Sequence, residues 1–332
     1  MAGYPVAEPG TDVLGSWSDR GVSIGDVCGA LAGLRHDQAL TATRTSVVNL
    51  VVAAEDHEGA SRAQSAMRRL GHRHPGRTLA LVCWPDAPEG IDATVELHGS
   101  NANGPAIWWE EVRLVVGGPG CGALASMVRP LLLERLPVAV WFPSTIPALS
   151  DPLLGLADAA LVDARWAIES GSSLASVVEL SQRHVVVDLS WKRLTPWRRL
   201  LAGLFDPAET RSYLGSVASA EVAAHRGPGR LLAGWLIDRL GLAPGSVVCR
   251  DAVHASIRLS ATYADHQGSF VVDRPDDDPV VFATAEIDGH LARTDSAALP
   301  EHGLTWSLAQ ALARLARDPR YDHAIRAALP LE

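Results

Sequence analysis

The stretch Thr43-Arg-Thr-Ser-Val-Val-Asn-Leu-Val-Val-Ala-Ala54 decides how this chain is read. Its second half is a nearly unbroken apolar run rich in β-branched side chains, the pattern of a strand buried on both faces. Working outward, Glu58–Leu70 has helical periodicity and Gly71 ends it. Arg77–Trp84, closed by Pro85, reads as the next strand. Strand, helix and strand in that order predict a parallel pair in a sheet covered by helices.

The alternation continues. Gly25–Asp37 reads as a short helix ahead of the central strand. Ala93–Leu97 and Ala106–Val116 read as strands joined by Gly99-Ser-Asn-Ala-Asn-Gly104, which is turn chemistry. A helix over Leu124–Leu136, a strand over Pro137–Phe142, and further short elements to Leu189 complete the pattern. The second half has a different character. Helices are expected over Pro196–Leu204, Ser212–Ala224 and Gly229–Leu240, strands over Val247–Ser260, Gly268–Arg274 and Val280–Ile287, and helices over Leu304–Leu315 and Tyr321–Leu329. The fold class is therefore α/β. A loose tail covers residues 1–24, a Rossmann-like layered domain residues 25–190 and an α+β domain residues 191–332.

Composition bounds the function. The chain has 332 residues, 47% hydrophobic, with a net charge of −9, so sizeable cores are available. The mildly acidic balance argues against general phosphate-backbone binding, which needs clustered Lys and Arg, and so against nucleic acid as a partner. The first residues lack the basic and apolar regions of a signal peptide. The longest apolar run, Pro130–Pro143, is broken by Glu134 and Arg135 and falls short of the roughly 20 residues a membrane span needs. No membrane association and a cytoplasmic location are expected. Cys28, Cys83, Cys121 and Cys249 are widely spaced and read as free thiols, not as a disulfide framework.

Several constellations invite a chemical reading. Gly118-Pro-Gly-Cys-Gly-Ala123 fits a dinucleotide fingerprint between a strand and a helix, with Gly118, Gly120 and Gly122 as the candidate ligand loop. No acidic residue follows about 20 positions on to hold a ribose hydroxyl, so an ordinary tight turn is the preferred reading. His57, His72, His74 and Cys83 lack zinc spacing and are expected to bind no metal. Arg77 beyond them is expected to contact backbone or a carboxylate. Asp276-Asp-Asp278 lacks calcium-loop spacing and reads as a solvated turn. There is no nucleophile elbow. No cofactor and no catalytic set are expected.

The segment with the most contact-forming side chains is Asp188-Leu-Ser-Trp-Lys-Arg-Leu-Thr-Pro-Trp-Arg-Arg199, which holds two tryptophans, four cations and the chain's single lysine. Thr195 and Pro196 read as the N-cap and first residue of a helix. Trp and Arg dominate interface hot spots. This segment resembles the signature of the OpcA family, the glucose-6-phosphate dehydrogenase assembly proteins. His74-Pro-Gly-Arg77, Pro137-Val-Ala-Val-Trp-Phe-Pro143, Asp151-Pro-Leu153, Leu231-Leu-Ala-Gly-Trp-Leu236 and the closing Leu312–Leu329 stretch agree with the family's blocks in order. Phe142 departs from the second Trp that relatives commonly show.

The resemblance implies a non-catalytic factor that binds glucose-6-phosphate dehydrogenase and promotes its active oligomer in the oxidative pentose phosphate pathway. Within that reading, Trp141, Trp191, Arg193, Trp197 and Arg198 are the candidate partner-binding residues. If the ring of Trp197 is core instead, truncation should cost ~3–5 kcal/mol of stability. The alternative is a nucleotide- or sugar-phosphate-binding sensor or enzyme that uses the Gly118–Ala123 loop.

Overall fold

The computed structural model describes residues 12–37, 46–55, 57–70, 74–100, 107–275, 278–301 and 303–331. The chain divides into two compact units, residues 1–144 with 148–161, and residues 145–147 with 162–332.

The first unit runs β1 (Asp12–Asp19), α1 (Ile24–Asp37), β2 (Val48–Ala54), α2 (His57–Leu70), β3 (Gly76–Trp84), β4 (Gly90–Ser100), β5 (Ile107–Gly117), α3 (Leu124–Val128), β6 (Val138–Trp141) and β7 (Ala159–Val162). The strands lie in the order β1-β4-β5-β3-β2-β6-β7. From β5 to β7 every pairing is parallel, whereas β1 on β4 and β4 on β5 are antiparallel. The central strand expected from the sequence is thus β2, with Val48–Val52 buried. β4 alternates instead. Ala93, Val95 and Leu97 point inward while Asp92, Thr94 and Glu96 reach solvent to some degree, as a strand with one wetter face should.

Two neighbouring acids show how the helices sit. Glu110 on β5 pairs with Arg35 of α1 and with Arg77 of β3, the latter at 2.7 Å. Glu111, on the other side of the strand, feels Arg68 of α2. The helices therefore cover opposite faces of the sheet. Burial disfavours the Glu110 charge, but the two guanidiniums outweigh it and hold its carboxyl below the usual range. Arg77 also donates to the Leu131 carbonyl, so the expected carboxylate and backbone contacts are both present. Asn49, fully buried on β2, donates to the Leu133 carbonyl and accepts from the Leu133 N–H. It clips the chain after α3 to the sheet.

Three expectations for this unit need correction. The loose tail ends earlier than expected, because residues 12–19 form edge strand β1 on β4. The helix over Leu124–Leu136 stops at Val128 and gives way to a 3-10 turn at Arg129–Leu131. Pro130 has no N–H to continue an α-helix. Cys83 and Cys121 are not free thiols but form a disulfide, with Cα atoms 5.7 Å apart. The register places Cys83 opposite Val116, and the loop after β5 brings Cys121 back beside it. Spacing in sequence cannot show that proximity. Cys28 and Cys249 are free.

The second unit runs α4 (Ala164–Glu169), α5 (Leu174–Arg183), β8 (Val186–Asp188), α6 (Leu189–Arg193), α7 (Thr195–Gly203), α8 (Ala208–Arg211), β9 (Val217–Ala224), α9 (Arg226–Leu240), β10 (Val247–Asp251), β11 (Ser256–Tyr263), β12 (His266–Asp273), β13 (Val280–Ile287), β14 (His290–Ala298), α10 (Gly303–Leu312) and α11 (Pro319–Ala328). Its six-stranded sheet has the order β10-β9-β11-β12-β13-β14, parallel only between β9 and β10. Composition changes character at 190/191, but contacts divide the chain at 161/162, because α4 and α5 pack against α9 and α11.

The segment expected as a helix over Ser212–Ala224 is largely strand β9. Its alanines favour a helix intrinsically, yet Ala220, Val222 and Ala224 are buried at alternate positions between β10 and β11. The expected strand over Val247–Ser260 is two strands, and β14 was not foreseen. Asp276 and Asp277 lie outside the described residues; Asp278 accepts from the Val280 N–H as a turn residue.

Helix α9 packs closely on α11 through Gly234. A Cβ there would lie 2.0 Å from the Ala324 carbonyl oxygen and 2.8 Å from the Ala328 Cβ. Gly234→Ala is expected to force the two helices apart and cost about 1–3 kcal/mol, despite the better helix propensity of Ala. Urea unfolding of the variant checks this, and an unchanged midpoint would contradict the packing.

Candidate functional site

The Asp188–Arg199 segment builds a polar hub inside the second unit. Asp188 ends β8 and caps α6, its Oδ1 accepting from the Ser190 N–H at 2.8 Å and the Trp191 N–H at 3.3 Å. The same oxygen accepts from the Ala164 N–H, and Oδ2 accepts from the Tyr321 hydroxyl at 3.0 Å. One side chain thus ties together the starts of α4 and α6 and the body of α11. Burial, and next the nearby Asp163 charge, push the Asp188 carboxyl up to about 6. Burial also drives the Tyr321 hydroxyl well above its ordinary value, with Asp188 adding to it.

Asp163 caps α4 and faces Arg193, whose Nη2 donates to Asp163 Oδ1 at 2.7 Å. Arg193 also donates to the hydroxyls of Ser190 and Ser307. Burial works against the Arg193 charge, but Asp163 outweighs it and the guanidinium sits above its usual value. Thr195 is not the N-cap expected from the sequence, because α7 follows α6 through Leu194 in helical conformation. The Thr195 hydroxyl instead accepts from Arg198 Nη2 at 3.1 Å.

The candidate partner-binding side chains divide into three groups. Trp191 is buried. Its Nε1 donates to Asp318 at 2.9 Å and its ring lies under the Arg198 guanidinium at 3.3 Å. Burial lowers the Arg198 guanidinium to about 10 in spite of Asp318. This pair braces α6 against α7 and presents no free ring. Trp141 belongs to the first unit and is 1% exposed on β6. Trp197 and Arg193 line a cavity. It has a volume of ≈ 500 Å³, and its walls include Trp197, Trp306, Arg165, Arg193, Arg274 and His254. Trp197 is itself 5% exposed, so it forms the floor of the cavity and not a projecting anchor. Val253, 74% exposed, stands among the lining residues.

Sequence reasoning missed Asp188, Asp163 and Tyr321 as a network, since they are brought together only by the fold. The Asp at the end of an apolar strand before Leu-Ser-Trp was the available signal, an N-cap in the right place. It also missed Arg165, Arg274 and Trp306, which share the cavity across more than 100 residues of chain.

The glycine loop has a plain packing role. Gly118 adopts φ +62°, which favours glycine. A Cβ on Gly117 would lie 2.1 Å from the Pro88 carbonyl oxygen, and one on Gly120 would lie 2.9 Å from Val116. Gly122 faces open space. The residues 118–123 form a 3-10 turn, and α3 behind them has five residues, too short a run of aligned peptides to hold a phosphate by its dipole. Among the described residues no helix is long and apolar enough to cross a membrane.

Residues 67–179 match a family model described as the glucose-6-phosphate dehydrogenase subunit N-terminal domain, and residues 184–325 match the model of the corresponding C-terminal domain. The chain is similar to proteins named putative OxPP cycle protein OpcA. That of a Synechocystis species is 29% identical over 191 residues, covering 54% of this chain and 40% of the relative. That of Synechococcus elongatus is 31% identical over 190 residues, covering 54% and 43%. That of Nostoc punctiforme is 27% identical over 184 residues, covering 52% and 40%. Each match spans less than half of the relative's length. The two models follow one another in order from residue 67 to residue 325, with their junction in the last turn of α5, and the chain belongs to the OpcA family of glucose-6-phosphate dehydrogenase subunit proteins.

Proposed function

We propose that this chain is a non-catalytic assembly factor that binds glucose-6-phosphate dehydrogenase in the cytoplasm and promotes its active oligomer in the oxidative pentose phosphate pathway. The observation that carries the reading is the ordered match of both subunit-domain models across residues 67–325. The parallel strands from β5 to β7 support reading the first unit as Rossmann-like. We read it as a scaffold, because its glycine loop is used for packing.

In the second unit, the cavity faced by Trp197 and Trp306 is the proposed contact. Its guanidiniums and apolar walls suit an acidic and aromatic segment of the dehydrogenase, in keeping with the Trp and Arg content of interface hot spots. Trp191 and Arg198 hold the wall in place and act as positioning residues. Activation follows if the dehydrogenase binds here more tightly in its active oligomer than in its inactive form, since a partner shifts an equilibrium only by its differential affinity.

Arg274→Glu combined with Val253→Asp tests the contact without touching the core. Arg274 is half-buried at the cavity and Val253 is exposed. The double variant is expected to keep its fold, losing only the Arg274 Nε hydrogen bond to the Asp278 carbonyl, yet bind the dehydrogenase at least tenfold more weakly by surface plasmon resonance. Equal affinity would move the contact to another face.

A further inference from the structure

Strands β4 and β5 pair antiparallel with Glu96 opposite Glu111 and His98 opposite Trp109. Glu96 and His98 are two residues apart on one strand and share a face, so three donor groups converge on one side of the sheet. His98 Nε2 lies 3.2 Å from Glu96 Oε2 and 3.7 Å from Glu111 Oε2, and the three donor atoms all lie within 4.8 Å of one another. The imidazole is 8% exposed, and neither ring nitrogen makes a hydrogen bond. A buried ring whose Nε2 faces two carboxylates without an aligned hydrogen bond to either calls for an explanation.

We propose that Glu96, His98 and Glu111 form a three-ligand site for a divalent transition-metal ion, with Zn²⁺ the best match. Ligands held tetrahedrally at about 2.0–2.2 Å from one ion stand roughly 3.3–3.6 Å apart, close to both distances from Nε2. An imidazole nitrogen selects a transition metal over Mg²⁺ or Ca²⁺. An ion between Nε2 and the two carboxylates would bridge all three donors and offset the two carboxylate charges. The Trp109 ring, stacked on the imidazole at 5.5 Å and 13°, fixes the plane of the ligand. Glu96, with 35% of its side chain exposed, is the open side by which an ion and a fourth, water ligand enter. Glu111 continues the site inward, where it lines a cavity of ≈ 190 Å³ beside α2. The proposal is independent of the dehydrogenase reading and stands or falls separately.

The test uses the full chain, stripped with a chelator and titrated with ZnCl₂ against a chromophoric competitor. The site predicts one Zn²⁺ per chain. Glu96→Gln, at a partly exposed position that the fold tolerates, and His98→Ala are each expected to weaken binding at least tenfold, with circular dichroism unchanged for Glu96→Gln. His72→Ala with His74→Ala is expected to leave the affinity unaltered. Failure to bind Zn²⁺ stoichiometrically, equal affinity in Glu96→Gln, or loss of binding in the His72/His74 variant would each overturn the assignment.

Discussion

Asp188→Ala is expected to destabilise the second unit by about 3–5 kcal/mol. The substitution removes the acceptor for three backbone N–H groups and the Tyr321 hydroxyl together, and a buried donor left without a partner costs about 1–3 kcal/mol. Asp188→Asn separates hydrogen bonding from charge. The amide oxygen still caps α6, but the group no longer ionises. In the wild type the Asp188 pKa rises from 3.8 unfolded to about 6 folded. The folded state therefore binds more protons between those values, and this group's contribution falls as pH rises through about 6. The full rise corresponds to about 3 kcal/mol. The stability of Asp188→Asn relative to wild type should consequently increase from pH 4 to pH 7. Urea titrations of both variants at several pH values check the pair. An Asn variant as unstable as the Ala variant, or a difference independent of pH, would contradict the account.

Trp197→Ala is expected to cost about 3–5 kcal/mol, the usual penalty for truncating a buried tryptophan. The ring is 5% exposed on α7 and forms the cavity floor. Loss of activation by this variant would therefore report on the fold as well as on the contact. Trp197→Phe keeps most of the apolar volume and is expected to retain both stability and complex formation. Thermal unfolding and complex formation measured on the two variants distinguish the roles. A fully stable Trp197→Ala chain that no longer activates the dehydrogenase would show that the ring is a contact and not a floor.

The sequence was most legible where one pattern dominated. Val48–Ala54 is apolar on both faces and is the central parallel strand. Helix α1 and helix α2 fall within a residue of their expected bounds. It was least legible where tertiary context overrode local preference. β9 is alanine-rich and helical by propensity, and only its place between β10 and β11 makes it a strand. β1 was hidden in a stretch rich in Gly and acid, because an edge strand needs only one buried partner. For the site, the Asp188–Arg199 block marked the right region, but a string of Trp and Arg reads alike whether the rings project or pack. The contacts of Trp191 with Asp318 and Tyr321 span about 130 residues, and such partners have no local signature.

The most direct test of the central claim is a titration of this chain into purified glucose-6-phosphate dehydrogenase from the same cell, following NADPH formation at sub-saturating substrate with the mass of the species recorded in parallel. The account predicts a saturable rise in rate and a heavier complex that contains both proteins. An unchanged rate with the two proteins eluting separately would contradict it.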